Sequence, residues 1–167
     1  MHKEFRTVGV GGTFDELHKG HRVLLLKAFE IGDHVIIGLS SDEFIDRLGK
    51  PHVTAPYPER LRELKELLKE RGLMERAEII PIDDPSGGVL SPSSPIEALV
   101  VSLETEPTAR ELNDERKEIG LPALRIIVID MVPSDNHLMI STTRIRRGEI
   151  DREGHVLARQ TERRKHI

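Results

Sequence analysis

The chain has 167 residues, 37% of them hydrophobic and 32% charged, with a formal net charge of −4. That is the size of one domain, apolar enough to bury a core and too patterned for disorder, while the negative balance argues against a general nucleic-acid binder. The absence of cysteine excludes disulfides, thiolate nucleophiles and cysteine-type zinc sites.

No apolar run is long enough to span a membrane, and the opening Met1, His2, Lys3, Glu4, Phe5 is not a signal peptide, so a cytoplasmic protein with no membrane partner is expected. Amide side chains are scarce, with only Asn113, Asn136 and Gln160 present. Together with the many Glu, Lys and Arg, that leans towards a thermophilic source.

In chain order, residues 7–10 (TVGV) read as a short buried strand, followed by a turn at Gly11, Gly12 and Thr13. Residues 20–31 carry Val23, Leu24, Ala28 and Ile31 at helical spacing, with Gly32 as the stop. A second strand follows over 34–39, then a short helix over 42–48. Pro58 opens a longer helix with Leu61, Leu64, Leu67 and Leu68 on one face and Gly72 at its end; the charged residues between them read as a solvated face. Strands are expected over 78–82, 96–102 and 125–132, and helices over 108–119 and 141–148. The segment 85–95 (PSGGVLSPSSP) sits where a crossover helix could lie, and its composition predicts a mobile surface loop. Alternating strands and helices imply parallel βαβ units with right-handed crossovers, and ligands in such sheets bind beyond the carboxyl ends of the strands.

The stretch Gly11-Gly12-Thr13-Phe14-Asp15-Glu16-Leu17-His18-Lys19-Gly20-His21 lies between the first strand and first helix, at that carboxyl end. The glycines permit close approach of a ligand to backbone, and the helix entrance offers free N–H groups and partial positive charge to a phosphate. His18 and His21, three residues apart, can reach one ligand. A dinucleotide fingerprint beginning at Gly9 is rejected because its third glycine would be Phe14. A structural zinc site lacks the further ligands it needs. Two ordinary loop histidines are the plain alternative.

The second signal is Ile140-Ser141-Thr142-Thr143-Arg144-Ile145-Arg146-Arg147-Gly148. Ser141 suits an N-cap and Ile140 a hydrophobic staple; hydroxyls, free amides and nearby arginines at a helix start suit β- and γ-phosphates. A capped surface helix with basic residues in its last turn is the plain reading.

G-T-F-D followed by H-x-G-H, with I-S-T-T-R-I-R near the end, resembles the nucleotidylyltransferase superfamily. The resemblance implies a Rossmann-like, doubly wound α/β fold with a five-stranded parallel sheet in a single domain. The expected boundaries are 1–151 for that domain and 152–167 for a basic tail packed on it or extending from it. It also implies that His21 is the main catalytic histidine, that His18 supports it, and that Thr13 bridges ATP and the acceptor phosphate, with Gly12 and Phe14 beside them. Ser141, Thr142, Thr143 and Arg144 would bind the triphosphate; Thr142 stands where the pattern usually has Ser.

Val100-Val101-Ser102-Leu103-Glu104-Thr105 resembles the V-V-S-x-E-T stretch of archaeal and eukaryotic phosphopantetheine adenylyltransferases. So do Ser40-Ser41-Asp42, with Lys50 downstream, and the run 108–122, and the likeness covers most of residues 6–151. It implies AMP transfer from ATP, with Mg²⁺, to 4′-phosphopantetheine. Glu104 and Thr105 would lie near the nucleotide, and Lys50 would hold and neutralise the acceptor phosphate as a second catalytic residue. The arginine that the bacterial branch carries after strand four is missing, leaving Arg110 and Arg144 as candidates for its role. The rival readings are a related enzyme with an FMN or glycerol 3-phosphate acceptor, and a non-catalytic nucleotide-binding protein. Oligomeric state is open.

Overall fold

The computed structural model describes residues 3–49, 53–129, 145–146 and 150–155. Its centre is a five-stranded, all-parallel sheet in the order β3-β2-β1-β4-β5, built from β1 (Phe5–Gly12), β2 (Gly32–Ser40), β3 (Ala77–Ile82), β4 (Ala98–Ser102) and β5 (Arg125–Ile129). The helices are α1 (Lys19–Ile31), α2 (Asp42–Leu48), α3 (Tyr57–Glu70) and α4 (Glu106–Glu118), with a 3-10 turn at Met74–Arg76.

Strand alternation divides the core in two. Val8, Val10, Val35, Ile37, Leu39 and Val100 pack with Leu25, Ala28 and Phe29 of α1 and with Leu64 and Leu68 of α3. Ile36 points the other way and meets Val89, Ile96, Leu112 and Leu124 beneath α4. The chain winds outwards from β1 to β3, returns, and winds outwards again from β4 to β5. Its reversal lies between β1 and β4, which pair through Val8↔Ala98 and Gly9↔Leu99. In open sheets of this kind that reversal is where a crevice forms beyond the strand ends.

Several expected boundaries move. Gly11 and Gly12 finish β1 and pair with Gly38 and Leu39, so the turn begins only at Thr13. Strand β4 starts at Ala98 and α4 at Glu106, with Pro107 in its first turn, where a missing N–H costs nothing. The last strand is described as far as Ile129, and of the expected final helix only Ile145 and Arg146 are described, both helical.

Gly32 is the expected stop of α1. It does stop the helix, but in extended conformation (φ −117°), and it is also the first residue of β2. No loop intervenes. A Cβ on Gly32 would stand 2.6 Å from Val8 Cγ2, so glycine is what lets β2 begin against β1. The last turn of α1 has no basic residue; Arg76 supplies one from the 3-10 turn, donating to the carbonyls of Phe29, Gly32 and Asp33 at 2.6, 2.7 and 3.0 Å. The Phe29 carbonyl is one of the orphan acceptors that a helix end must satisfy, and the other two open β2.

The 85–95 segment differs from the loop expected. It is a series of turns with a buried anchor: Val89 is in the second core, and buried Arg116 of α4 donates to its carbonyl through Nη1 and to that of Pro122 through Nε at 2.9 Å. A valine among serines and glycines is the only sequence trace of that anchor.

Candidate functional site

The site is assembled where β1, β2 and β4 end. After Gly12 the chain runs through Thr13–His18 before entering α1. Phe14 and Glu16 both have φ of 51°, a conformation rarely adopted by bulky residues. The turn holds it because the Phe14 ring, 1% exposed, is locked in the core, and because Asp15 is equally buried and paired. Phe14 therefore offers a ligand its backbone at most. Its ring meets His21 edge-on, with centroids 5.3 Å apart, and so supports that imidazole from beneath.

His18 and His21 cap the helix reciprocally. His18 is the N-cap and its Nδ1 accepts from the N–H of His21 at 3.3 Å; the Nδ1 of His21 accepts from the N–H of His18 at 3.2 Å. This is the capping-box geometry made from two imidazoles. The rings stack with centroids 3.6 Å apart and planes 17° from parallel. Because each Nδ1 accepts a hydrogen bond, each neutral ring carries its proton on Nε2. Burial, reinforced by the charges of Arg22 and Arg152, lowers the pKa of His18 from 6.5 to about 4. Gly20 is part of the same device: a Cβ there would lie 2.8 Å from Cε1 of His18.

Asp15 accepts from Nε and Nη2 of Arg146 at 2.9 and 2.8 Å and from the N–H of Ala55 at 3.2 Å. The Arg146 guanidinium also lies 3.3 Å from Glu16. Those carboxylates hold its pKa above the usual arginine value, the hydrogen bonds it donates to Asp15 contributing most. Of the arginines in the second motif, this one is committed to the first motif, which the expectation of a purely phosphate-facing cluster did not anticipate.

Arg60 is the residue that the sequence reading missed. It is 1% exposed and donates to four oxygens: Ala55 O through Nε (2.8 Å), Thr13 O (2.9 Å) and Ser40 O (2.8 Å) through Nη1, and Asp42 Oδ1 through Nη2 (2.9 Å). Asp42 also accepts from the N–H of Tyr57, and Ser41 caps α2 by accepting from the N–H of Phe44 at 3.1 Å. Unlike the charged residues that follow it on α3, Arg60 is buried. The signal was its place four residues before Leu64 and eight before Leu68, on the buried stripe itself.

Gly12, Thr13, Phe14, His18 and His21 are thus brought together. Glu104 and Thr105 follow β4 across the chain reversal. Extending the Gly9↔Leu99 register puts Gly12 level with Ser102, whose Oγ and carbonyl are engaged by Thr105 in a tight turn; Glu104 and Thr105 are solvent-exposed. Arg110 lies on the exposed side of α4, paired with Glu106 at 2.6 Å. Lys50, Ser141, Thr142, Thr143 and Arg144 lie outside the described residues. Of the expected tail, Arg152 is placed: its carbonyl accepts from the N–H of Lys19 at 2.8 Å and its side chain meets Glu16 and Glu63 at 3.0 and 3.3 Å.

A family model described as cytidylyltransferase-like matches residues 10–148. A phosphopantetheine adenylyltransferase of Methanothermobacter thermautotrophicus is 45% identical, covering 95% of this chain and 94% of the relative. One of Methanopyrus kandleri is also 45% identical, over 88% and 92%. Among solved structures, a protein of unknown function from Archaeoglobus fulgidus superposes with a TM-score of 0.67 at 31% identity, covering 81% of this chain and 99% of that one. The parallel-sheet architecture, the H-x-G-H helix entrance and these relatives agree that the chain belongs to the cytidylyltransferase-like family and, within it, to the phosphopantetheine adenylyltransferases.

Proposed function

We propose that this chain transfers AMP from MgATP to 4′-phosphopantetheine, giving dephospho-coenzyme A and pyrophosphate. An oxygen of the acceptor phosphate attacks the α-phosphorus in line, the bond from that phosphorus to the bridging oxygen breaks, and pyrophosphate leaves with the electron pair. No covalent enzyme intermediate is required. Mg²⁺ enters with ATP, coordinated by phosphate oxygens and water.

The observation that carries the reading is the reciprocal histidine cap. A pair of neutral imidazoles, each with its proton on Nε2 and its ring fixed by backbone, is a preorganised donor set for phosphoryl oxygens. His21 donates to the α-phosphate as charge shifts onto it, with His18 supporting it. Gly12, Thr13 and the backbone of Phe14 line the nucleotide side, together with Glu104 and Thr105; Thr13 bridges to the acceptor. Ser141, Thr142, Thr143 and Arg144 hold the β- and γ-phosphates, and Lys50 grips the acceptor phosphate. Catalysis then rests on positioning and charge stabilisation. The chain works in the cytoplasm, and its residue usage suits a thermophile. Among the described residues no helix is long and apolar enough to cross a membrane.

The test is pyrophosphate release with MgATP and a panel of acceptors. 4′-Phosphopantetheine is expected to turn over fastest. Faster turnover of FMN or glycerol 3-phosphate would replace the acceptor, and ATP binding without turnover of any of them would leave a nucleotide-binding protein.

A further inference from the structure

We propose that the turn at 150–155 is a brace that positions the His18–His21 pair by holding the residue that follows each histidine. The proposal rests on the reading that this pair donates to phosphoryl oxygens of ATP. The carbonyl of Arg152 accepts from the N–H of Lys19 at 2.8 Å. The carboxylate of the next residue, Glu153, accepts from Nη2 of Arg22. Two consecutive residues of the brace therefore meet positions 19 and 22, which are neighbours on one face of α1. The Arg152 side chain reaches back to Glu16, in the turn that leads into His18, and to Glu63 of α3. The helix entrance is thus held twice: its histidines cap it from within, and the brace ties it from outside to the turn after β1 and to α3.

A brace can fix its neighbour only if it is itself rigid. Ile150, fully buried, anchors its start. The Asp151 carboxylate accepts from the N–H groups of Glu153 and His155 at 2.9 and 2.8 Å, and the Asp151 N–H donates to the His155 carbonyl at 2.9 Å. Gly154, buried at φ 88°, closes the turn where a side chain would be strained. The capping box fixes the two imidazoles to each other, but both of its hydrogen bonds lie within residues 18–21. The contacts from Arg152 and Glu153 supply a reference outside that first helical turn. An in-line displacement is sensitive to such placement, since a shift of about 1 Å can cost 10²-fold in rate.

The experiment compares steady-state kinetics of Lys19→Pro and Lys19→Ala with MgATP and 4′-phosphopantetheine, at a temperature where circular dichroism shows both folded. Proline at the first helical position removes an N–H that the helix itself does not use, and the extended backbone of His18 (φ −104°, ψ 177°) suits a residue before proline. The ring would stand where the Arg152 carbonyl now accepts, so the brace must withdraw, whereas Lys19→Ala keeps the bond. Relative to Lys19→Ala, Lys19→Pro is expected to lower kcat about tenfold, with both KM values within about threefold. Equal kcat in the two variants, or a loss carried by KM alone, would overturn the proposal. So would an undiminished difference between them in a His21→Ala background, because a brace that acts through the pair has no pair left to place. If Lys19→Pro does not fold, Glu153→Arg decides: it sets like charges together at an exposed position and is expected to lower kcat about fivefold. Wild-type kcat in Glu153→Arg would overturn the proposal. Failure of the underlying histidine reading is seen separately, as full kcat in His21→Ala alone, and takes the proposal with it.

Discussion

The carboxylate of Asp15 receives both Nε and Nη2 of Arg146, at 2.9 and 2.8 Å, from a residue 131 positions further along the chain. A bidentate pair of this kind ties the second motif to the first, with one partner buried and the other mostly so. Asp15→Asn keeps the volume and removes the charge. Breaking a buried pair costs up to 3–5 kcal/mol, and the partial exposure of Arg146 brings the expectation to about 2–3 kcal/mol. Chemical denaturation would read this directly. Arg152 is itself 44% exposed where it meets Glu16 and Glu63, so Arg152→Gln in the same assay is expected within about 1 kcal/mol of wild type.

The lowered pKa of His18 predicts a pH dependence of stability. The folded state keeps this ring neutral down to about pH 4, whereas the unfolded chain takes up its proton near 6.5. The unfolded state therefore binds more protons in that window, and stability falls as pH drops from 6.5 towards 4, by about 3 kcal/mol for this one group. Below about pH 4 both states are protonated and the loss is complete. Unfolding free energies of wild type and His18→Gln across pH 4–7 give the comparison. The variant is expected to lose less stability over that range; equal slopes would remove His18 as the source.

His21→Ala removes two things at once. The donor to the α-phosphate is gone, and loss of one preorganised donor lowers kcat by about 10²–10³. The Nδ1 acceptor for the N–H of His18 is also gone, so helix α1 loses half its cap, worth about 0.5–2 kcal/mol. The expected result is a folded, less stable enzyme whose affinity for ATP changes far less than its kcat. Full kcat in the variant would take His21 out of the mechanism.

Gly20→Ala separates helix stability from histidine placement. Alanine favours the helix by roughly 0.8–1 kcal/mol over glycine. Its Cβ, however, would stand 2.8 Å from Cε1 of His18, whose ring is buried and stacked against His21 and cannot simply swing aside. Thermal unfolding is expected to change by only a few degrees, while kcat falls at least tenfold as the stacked pair is displaced. Wild-type kcat would mean that the pair tolerates the shift.

The parallel sheet and the histidine turn were legible because their signals are local. Continuous apolar runs mark strands buried on both faces, and H-x-G-H announces itself within four residues. What escaped was set by contacts distant in sequence. Gly12 reads as a turn residue until β2 is alongside to pair with it. Arg60 and Arg116 each lie on the buried side of a helix, and only the folded chain shows the carbonyls waiting for them. Val89 looks like part of a polar loop until Ile36, Ile96, Leu112 and Leu124 surround it. The commitment of Arg146 to Asp15 depends on two motifs from opposite ends of the chain being brought together.

The direct passage of α1 into β2 at Gly32 governs which length changes this protein can absorb. A connection of several residues would take up an insertion by bulging, but here none exists. One residue added within α1 would rotate everything before it by about 100° and advance it by about 1.5 Å relative to β2. The histidine pair at the far end of the helix would turn away from the sheet edge, with the start of β2 still clamped by Val8 and Arg76. Insertions and deletions should therefore be excluded from residues 19–32 and admitted more readily beside Gly72 and Gly120, exposed glycines with positive φ that follow α3 and α4.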